Sequence, residues 1–316
     1  MNFITRYNNT RCKMNFNAII LAAGKGTRMK SDLPKCVFPF FGKPMITYII
    51  NSCHKAGIED ICVVVGHKKE EIMKILNNTV EYACQEEQLG TGHAVLCAKD
   101  FYSNKDGVTL IFPGDMPLID YHTINDLVNQ HINSGNYLTV VTTIVDNPTG
   151  YGRILRKSGQ ITKIVEEKDA TQNQKQIKEI NTGLYCINTD ILKDALLKIK
   201  NDNSKHEYYL TDIIEILSTT KKVNAFLANN DFKLTGINDL YALAEVEKKY
   251  QQVINENHML NGVHLINPDS ILIEDTVVIE PSVTIDACSI IRGNTKIKSG
   301  TYIEPFSLIV DGKKIK

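Results

Sequence analysis

The first residues with chemical capacity form the run Leu21-Ala22-Ala23-Gly24-Lys25-Gly26-Thr27-Arg28-Met29. Small side chains let backbone N–H groups approach a ligand closely, and Lys25 and Arg28 add two cations just after an apolar, strand-like run. Such a loop at the carboxyl end of a sheet strand is where α/β proteins cradle phosphates. It is not a Walker A loop, and the dinucleotide pattern G-x-G-x-x-G fails at Met29. Taken alone, the Gly-Lys-Gly turn fits a structural turn as well as a ligand loop. Seven residues past Arg28 stands Lys35, its backbone preset by Pro34. A lone Lys is ordinarily a solvated charge; beside a phosphate loop it is a candidate for holding a second phosphate. Asp115, in Gly114-Asp115, directly follows another strand-like run and is carried by it toward a cleft. Its competing reading is a turn-capping Asp. His67 and His93 lie near these segments, but neither is paired with a Ser or Cys nucleophile in a recognisable arrangement. Both read as packing or helix-end residues.

The elements that must position these residues follow from the pattern of the chain. At roughly 150 residues per domain, 316 residues allow about two domains. Lys plus Arg and Asp plus Glu number 36 each, so no chain-wide field favours nucleic acid or anionic lipid. No apolar run approaches the ~20 residues of a membrane helix. Eight cysteines without a C-x-x-C pair fit buried, reduced thiols of a cytoplasmic protein. Residues 1–15 carry Arg6, Arg11 and Lys13 without an acid or an apolar h-region. They read as a loose N-terminal extension, consistent with translation from Met14. From Asn17 to about Val145, β-branched runs at 17–22, 61–66, 80–84, 108–112 and 138–145 alternate with amphipathic stretches, the pattern of an α/β domain on a mostly parallel sheet. Residues 44–56 read as a helix closed by Gly57. The runs 153–156 and 161–166 read as a hairpin after the turn Asn147–Gly150.

Beyond a long, charged, Pro-free helix at 240–258 comes a repeat. Ile stands at 273, 279, 285, 291, 297, 303 and 309, and four places after each of the first six stands Val277, Val283, Ser289, Thr295, Thr301 or Ser307. A hexapeptide period is the signature of a parallel β-helix, about three coils here. The expected organisation is an extension over 1–15, an α/β domain over 16–240, a linker helix over 241–261 and the β-helix over 262–316.

The segments LAAGKGTRM (21–29), DLPK (32–35), QEEQLGTGHA (85–94), GDMPL (114–118), PTGYGRI (148–154), VEEKDAT (165–171), EINTGLY (179–185), EYYLTDII (207–214) and GIND (236–239) resemble, in order, those of the sugar nucleotidylyltransferases, and within them the bacterial N-acetylglucosamine-1-phosphate uridyltransferases. The resemblance implies a Rossmann-like nucleotidyltransferase domain with a mixed, mostly parallel sheet, followed by a short left-handed hexapeptide-repeat β-helix. It implies that an oxygen of N-acetylglucosamine 1-phosphate attacks the α-phosphorus of UTP, giving UDP-N-acetylglucosamine, a cell-wall precursor, and pyrophosphate. Bringing two polyanions together makes this a problem of positioning and charge stabilisation. The resemblance gives Lys25 and Arg28 the nucleotide phosphates, Lys35 the reaction centre, and Asp115 and Asn238 a Mg²⁺ ion completed by phosphates and water. Leu21, Ala22, Ala23, Gly24, Gln85, Gly90 and Thr91 would hold the nucleoside. Gly152, Glu166, Asn181, Tyr209 and Thr211 would hold the sugar, while Glu167 would face solvent as the alternate strand residue. A homotrimer through the β-helix is implied, with no nucleic-acid partner and no membrane insertion.

Two departures qualify these expectations. Pro113 stands where the family usually carries an aromatic residue, which loosens the reading of sugar and nucleotide preference. The bifunctional members continue through many more coils that carry acetyl-transfer residues, so this chain, with about three coils, is expected to lack acetyltransferase activity. Competing readings are a nucleotidylyltransferase for another sugar 1-phosphate, such as glucose 1-phosphate, and a non-catalytic sugar-nucleotide-binding protein.

Overall fold

Alternation of β-branched strands with helices builds a sheet covered on both faces. In the computed structural model, which describes residues 14–228 and 232–315, its strands are β1 (Phe16–Leu21), β2 (Asp60–Val65), β3 (Glu81–Cys84), β4 (Val108–Pro113), β5 (Leu138–Ile144), β6 (Arg153–Lys157), β7 (Gln160–Val165), β8 (Glu179–Asn188) and β9 (Val223–Leu227). The order is β9-β5-β8-β4-β1-β2-β3, with the hairpin β6–β7 attached to β8. β1 pairs in parallel with β2 and β4, so Leu21 sits level with Val64 and Pro113. β8 runs antiparallel between β4 and β5, which makes the sheet mixed. No strand was expected at 179–188 from patterning, because its run is broken by Asn181, Thr182 and Gly183, where the register against β5 shifts.

Side chains of successive strand residues point to opposite faces, and β1 shows it: Ala18 and Ile20 join one apolar cluster, Ile19 the other. The first face is covered by α1 (Met45–Ala56), α2 (Lys69–Leu76) and α4 (Tyr121–Asn133), the second by α3 (Thr91–Cys97), α5 (Thr189–Leu196) and α6 (Asp212–Ser218). α1 stops at Gly57, whose φ of 93° closes the last turn.

The chain divides into two compact units, Met1–Phe38 with Lys43–Asn238, and Pro39–Gly42 with Asp239–Lys316. The extension expected over 1–15 falls almost wholly outside the described residues, as does Cys12. The other seven cysteines are free; Cys36, Cys53, Cys62 and Cys186 are buried, whereas Cys84 and Cys288 are exposed, contrary to the expectation of buried thiols.

In the second unit α7 (Leu240–Leu260), expected as a linker helix over 241–261, lies against the first coil. Asn255 Nδ2 donates to the Pro268 and Ile271 carbonyls at 2.8 and 3.0 Å, satisfying backbone acceptors at the first coil. Tyr250 packs its ring against Phe40 and Phe41 at 5.6 and 5.2 Å. The repeat forms coils of 18 residues: Leu272 pairs with Ile290 and Ile290 with Leu308, Val278 with Lys296, Thr284 with Tyr302, all in parallel. Ile273, Ile285, Ile291, Ile303 and Ile309 are buried inside, while Ile297 is only partly so. The small residues at the second lattice position turn inward as well; Ser289 and Thr295 are fully buried and donate to the Asp286 and Arg292 carbonyls. Among the described residues no helix is long and apolar enough to cross a membrane.

Candidate active site

The loop after β1 leaves the sheet at its carboxyl edge. Gly26 has φ 57°, and a Cβ there would meet Lys35 Cβ at 2.8 Å. Only glycine lets the loop lie against the short helical turn Lys35–Val37. That turn is pinned by the buried Cys36 and Val37, which aims Lys35 at the end of β4.

There four side chains converge. Lys35 Nζ donates to Asp115 Oδ2 in a close ion pair and to Asn238 Oδ1 at 3.1 Å. Arg28 donates to the same Asn238 oxygen at 2.7 Å. The segment 236–238 is laid along residue 115 by the Ile237 N–H, which donates to the Asp115 carbonyl at 2.9 Å, and Asn238 Nδ2 donates to the Gly236 carbonyl. Asp115 and Lys35 are 15% and 21% exposed, so the cluster opens to solvent but is not bathed in it. An ammonium that reaches both the Asp115 carboxylate and the Asn238 carboxamide oxygen shows that these two hard donors converge on one cationic position. Among the described residues no group of three or more His, Cys, Asp or Glu side chains could cage a metal. Two oxygen donors, the rest left to other oxygen ligands such as phosphates and water, form a set that suits a hard divalent cation.

From this cluster a cleft of about 380 Å³ extends along the sheet edge, lined by Leu21, Ala22, Ala23, Gly24 and Gly114 on one side and by Gln85, Gly90 and Thr91 on another. The wall at 89–92 exists because two distant segments are stitched together. The Tyr208 N–H donates to the Leu89 carbonyl, the Gly92 N–H to the Tyr208 carbonyl, and the Leu210 N–H to Thr91 Oγ1. Gly90, at φ 110°, would place a Cβ 2.5 Å from the Tyr208 oxygen, so no other residue fits. Gln85 is buried, and its Nε2 donates to the Gly90 carbonyl at 3.0 Å.

The far end of the cleft is lined by Glu166, Asn181 and Thr211. Thr211 Oγ1 donates to Glu166 Oε1 at 3.1 Å. Burial raises the Glu166 carboxyl above its ordinary range, opposed by that hydrogen bond. Asn181 is held at both ends of its amide, accepting from the Gly183 N–H and donating to the Tyr185 hydroxyl. Cys36 also lines the cleft, but burial pushes its thiol up to about 12, so it offers no thiolate at neutral pH.

Placement departs from expectation at three residues. Lys25 is exposed and does not line the cleft. Gly152 does not line it either, though a Cβ there would fall 3.6 Å from Glu166 Oε1 and from Asn181 Cβ. Tyr209 does not line the cleft but an adjoining cavity, with Asp169, Lys200 and Asp212, that shares Glu166 with it. Glu167 is partly exposed, in line with expectation, while it pairs with the fully buried Arg153 at 2.5 Å and accepts from the Gly150 N–H. Gln88, Tyr185 and Glu207 line the cleft without having been singled out. Each stands inside a segment already recognised, and only that membership could have pointed to it.

The model of the nucleotidyl transferase family matches residues 17–252. The chain belongs to that family. It is 46% identical over 245 residues to the bifunctional protein GlmU of Acholeplasma laidlawii, covering 77% of this chain and 53% of that protein. It is likewise 46% identical over 297 residues to the bifunctional protein GlmU of Clostridium beijerinckii, covering 93% and 65%. The chain thus spans between about half and two thirds of the length of these curated relatives. A solved Bacillus anthracis structure, named as a glucose-1-phosphate thymidylyltransferase and bound to sucrose, shares the fold at a TM-score of 0.60, with 20% identity, over 73% of this chain and 94% of that one.

Proposed function

We propose that the protein is a uridylyltransferase that makes UDP-N-acetylglucosamine and pyrophosphate from UTP and N-acetylglucosamine 1-phosphate. The observation that carries the reading is the convergence of Lys35, Arg28, Asp115 and Asn238 at one end of a cleft whose other walls suit a base and a sugar. Membership of the nucleotidyl transferase family and the similarity to GlmU proteins support the reaction class.

In this reading Gln85 and the Gly90-Thr91 turn hold the uracil, with backbone at Leu21 to Gly24 beneath it. Glu166 accepts from sugar hydroxyls, and Asn181 and Thr211 hold the remaining polar groups. Lys35 balances charge on the phosphates as an oxygen of the sugar phosphate attacks the α-phosphorus and the α–β bridging P–O bond breaks. Arg28 faces the departing pyrophosphate from the loop, with Lys25 near it. Asp115 and Asn238 would hold a Mg²⁺, which supplies neutralisation of the phosphate oxygens. Catalysis is then positioning and fixed charge, with no covalent intermediate.

A panel of sugar 1-phosphates against four nucleoside triphosphates, read by pyrophosphate release, tests the proposal. UTP with N-acetylglucosamine 1-phosphate should be turned over fastest. Faster turnover of glucose 1-phosphate would move the reading to another sugar, and no release with any pair would favour a binding protein. Absence of acetyl transfer by the 316-residue chain belongs to the same proposal, as do a cytoplasmic location and a trimer. Turnover of acetyl-CoA with glucosamine 1-phosphate would contradict the first, and light scattering tests the last.

A further inference from the structure

We infer that His93 is a positioning residue that reinforces, beside the Gly90 carbonyl, the orientation of the Gln85 amide with its oxygen toward the base, and so strengthens the choice of uracil over cytosine; the inference rests on the proposal that Gln85 reads the base. Gln85 Nε2 lies 3.0 Å from the Gly90 carbonyl oxygen and 3.0 Å from Nδ1 of His93. A carbonyl oxygen can only accept, so the amide atom facing Gly90 must be the nitrogen. Turning the amide over would set two oxygens 3.0 Å apart. Gly90 cannot retreat, because its own backbone is clamped against Tyr208.

The second amide hydrogen then meets His93 Nδ1, which accepts only when the imidazole is neutral and carries its proton on Nε2. That Nε2 lies 3.8 Å from Cys97 Sγ, a soft acceptor one helical turn further along α3, while Nδ1 lies 4.0 Å from the same sulfur. The ring is also flanked by Tyr208, centroid to centroid 6.4 Å. With both amide hydrogens engaged, the atom of Gln85 left for a ligand is Oε1, and among the described residues none donates to it. A group that only accepts matches the N3–H of uracil and opposes the N3 lone pair of cytosine. Without His93 one of the two bonds that hold the amide is gone. The penalty for turning the amide over, which would offer N–H to cytosine, then rests on the Gly90 carbonyl alone and is smaller.

The test measures kcat/KM for UTP and for CTP in the same preparation of wild type, His93→Leu and His93→Asn. A ratio taken within one preparation does not depend on the folded fraction. In His93→Leu the UTP:CTP ratio should fall about tenfold, the loss of one hydrogen bond's selectivity. In His93→Asn the side-chain oxygen stands near the former Nδ1 and accepts the same hydrogen, so the ratio should stay within about twofold of wild type. A wild-type preference kept by both variants, or lost equally in both, overturns the inference while leaving the reading of Gln85 intact. A wild type with no preference for UTP overturns that reading and the inference with it.

Discussion

Asp115→Asn separates the charge of this residue from its shape. The rim of the cleft holds two cations, Arg28 and Lys35, and one carboxylate. The substitution leaves a side chain of the same size with one oxygen, and removes the negative charge. Charge-assisted contacts are worth about 1.5–3 kcal/mol, so the apparent affinity for Mg²⁺ should weaken on the order of 10- to 100-fold. Where the lost contact acts on charge that develops during transfer, kcat should fall by about 10²–10³ even at saturating metal. The side chain is 15% exposed and its partner 21%, so loss of the pair should cost only about 1 kcal/mol of stability. UTP binding without metal should not weaken, since the site becomes more positive. Coupled pyrophosphate release across a Mg²⁺ titration gives kcat and the metal dependence, and urea unfolding reports the fold. A kcat within about threefold of wild type, with unchanged metal dependence, would refute the assignment.

Lys35→Ala should lower kcat by about 10²–10³ with a smaller change in KM; a loss confined to KM in the same assay would place Lys35 in binding alone. Burial raises the Asp212 carboxyl to about 6, with Glu215, Glu166 and Asp169 adding to it and Lys163 opposing. Its folded value lies above the unfolded one, so the folded state holds the extra proton between about pH 4 and 6 and the charged form is penalised above that window. Asp212→Asn should therefore stabilise by about 1 kcal/mol at pH 7.5, after discounting for partial exposure, with the gain vanishing near pH 4. An equal gain at both pH values in urea titrations would contradict this origin. Ile291 is fully buried in register between Ile273 and Ile309. Ile291→Ala should cost about 2–5 kcal/mol, and a cost under about 0.5 kcal/mol would mean that the coils do not share a packed core.

Much of this was legible because local chemistry and position agreed. The first strand, expected at 17–22, is Phe16–Leu21, and the loop after it takes its left-handed turn at Gly26. The hexapeptide lattice was legible because each Ile repeats one environment, and only Ile297 stays partly exposed. What patterning could not supply was pairing across distance. Nothing local in Glu179–Asn188 says that it enters the sheet between β4 and β5, since a strand whose partners set its register carries no period of its own at a bulge. Nor could composition place Pro39–Gly42 with the second unit. In the site, the meeting of residues 35, 115 and 238 could be expected only from the resemblance. The tie between Gln85 and His93 depends on the turn of α3 and on Gly90, so from the sequence alone His93 reads as a packing or helix-end residue.

The account rests on oxygen donors and cations that neutralise two anionic reactants at one point, and a crystal structure with UTP and Mn²⁺ in place of Mg²⁺ tests it most directly. Anomalous density should fall between the Asp115 carboxylate and the Asn238 carboxamide, at about 2.0–2.2 Å from each oxygen, with Lys35 against the phosphates. Density bound elsewhere, or nucleotide phosphates lying away from residues 28, 35 and 115, would contradict it.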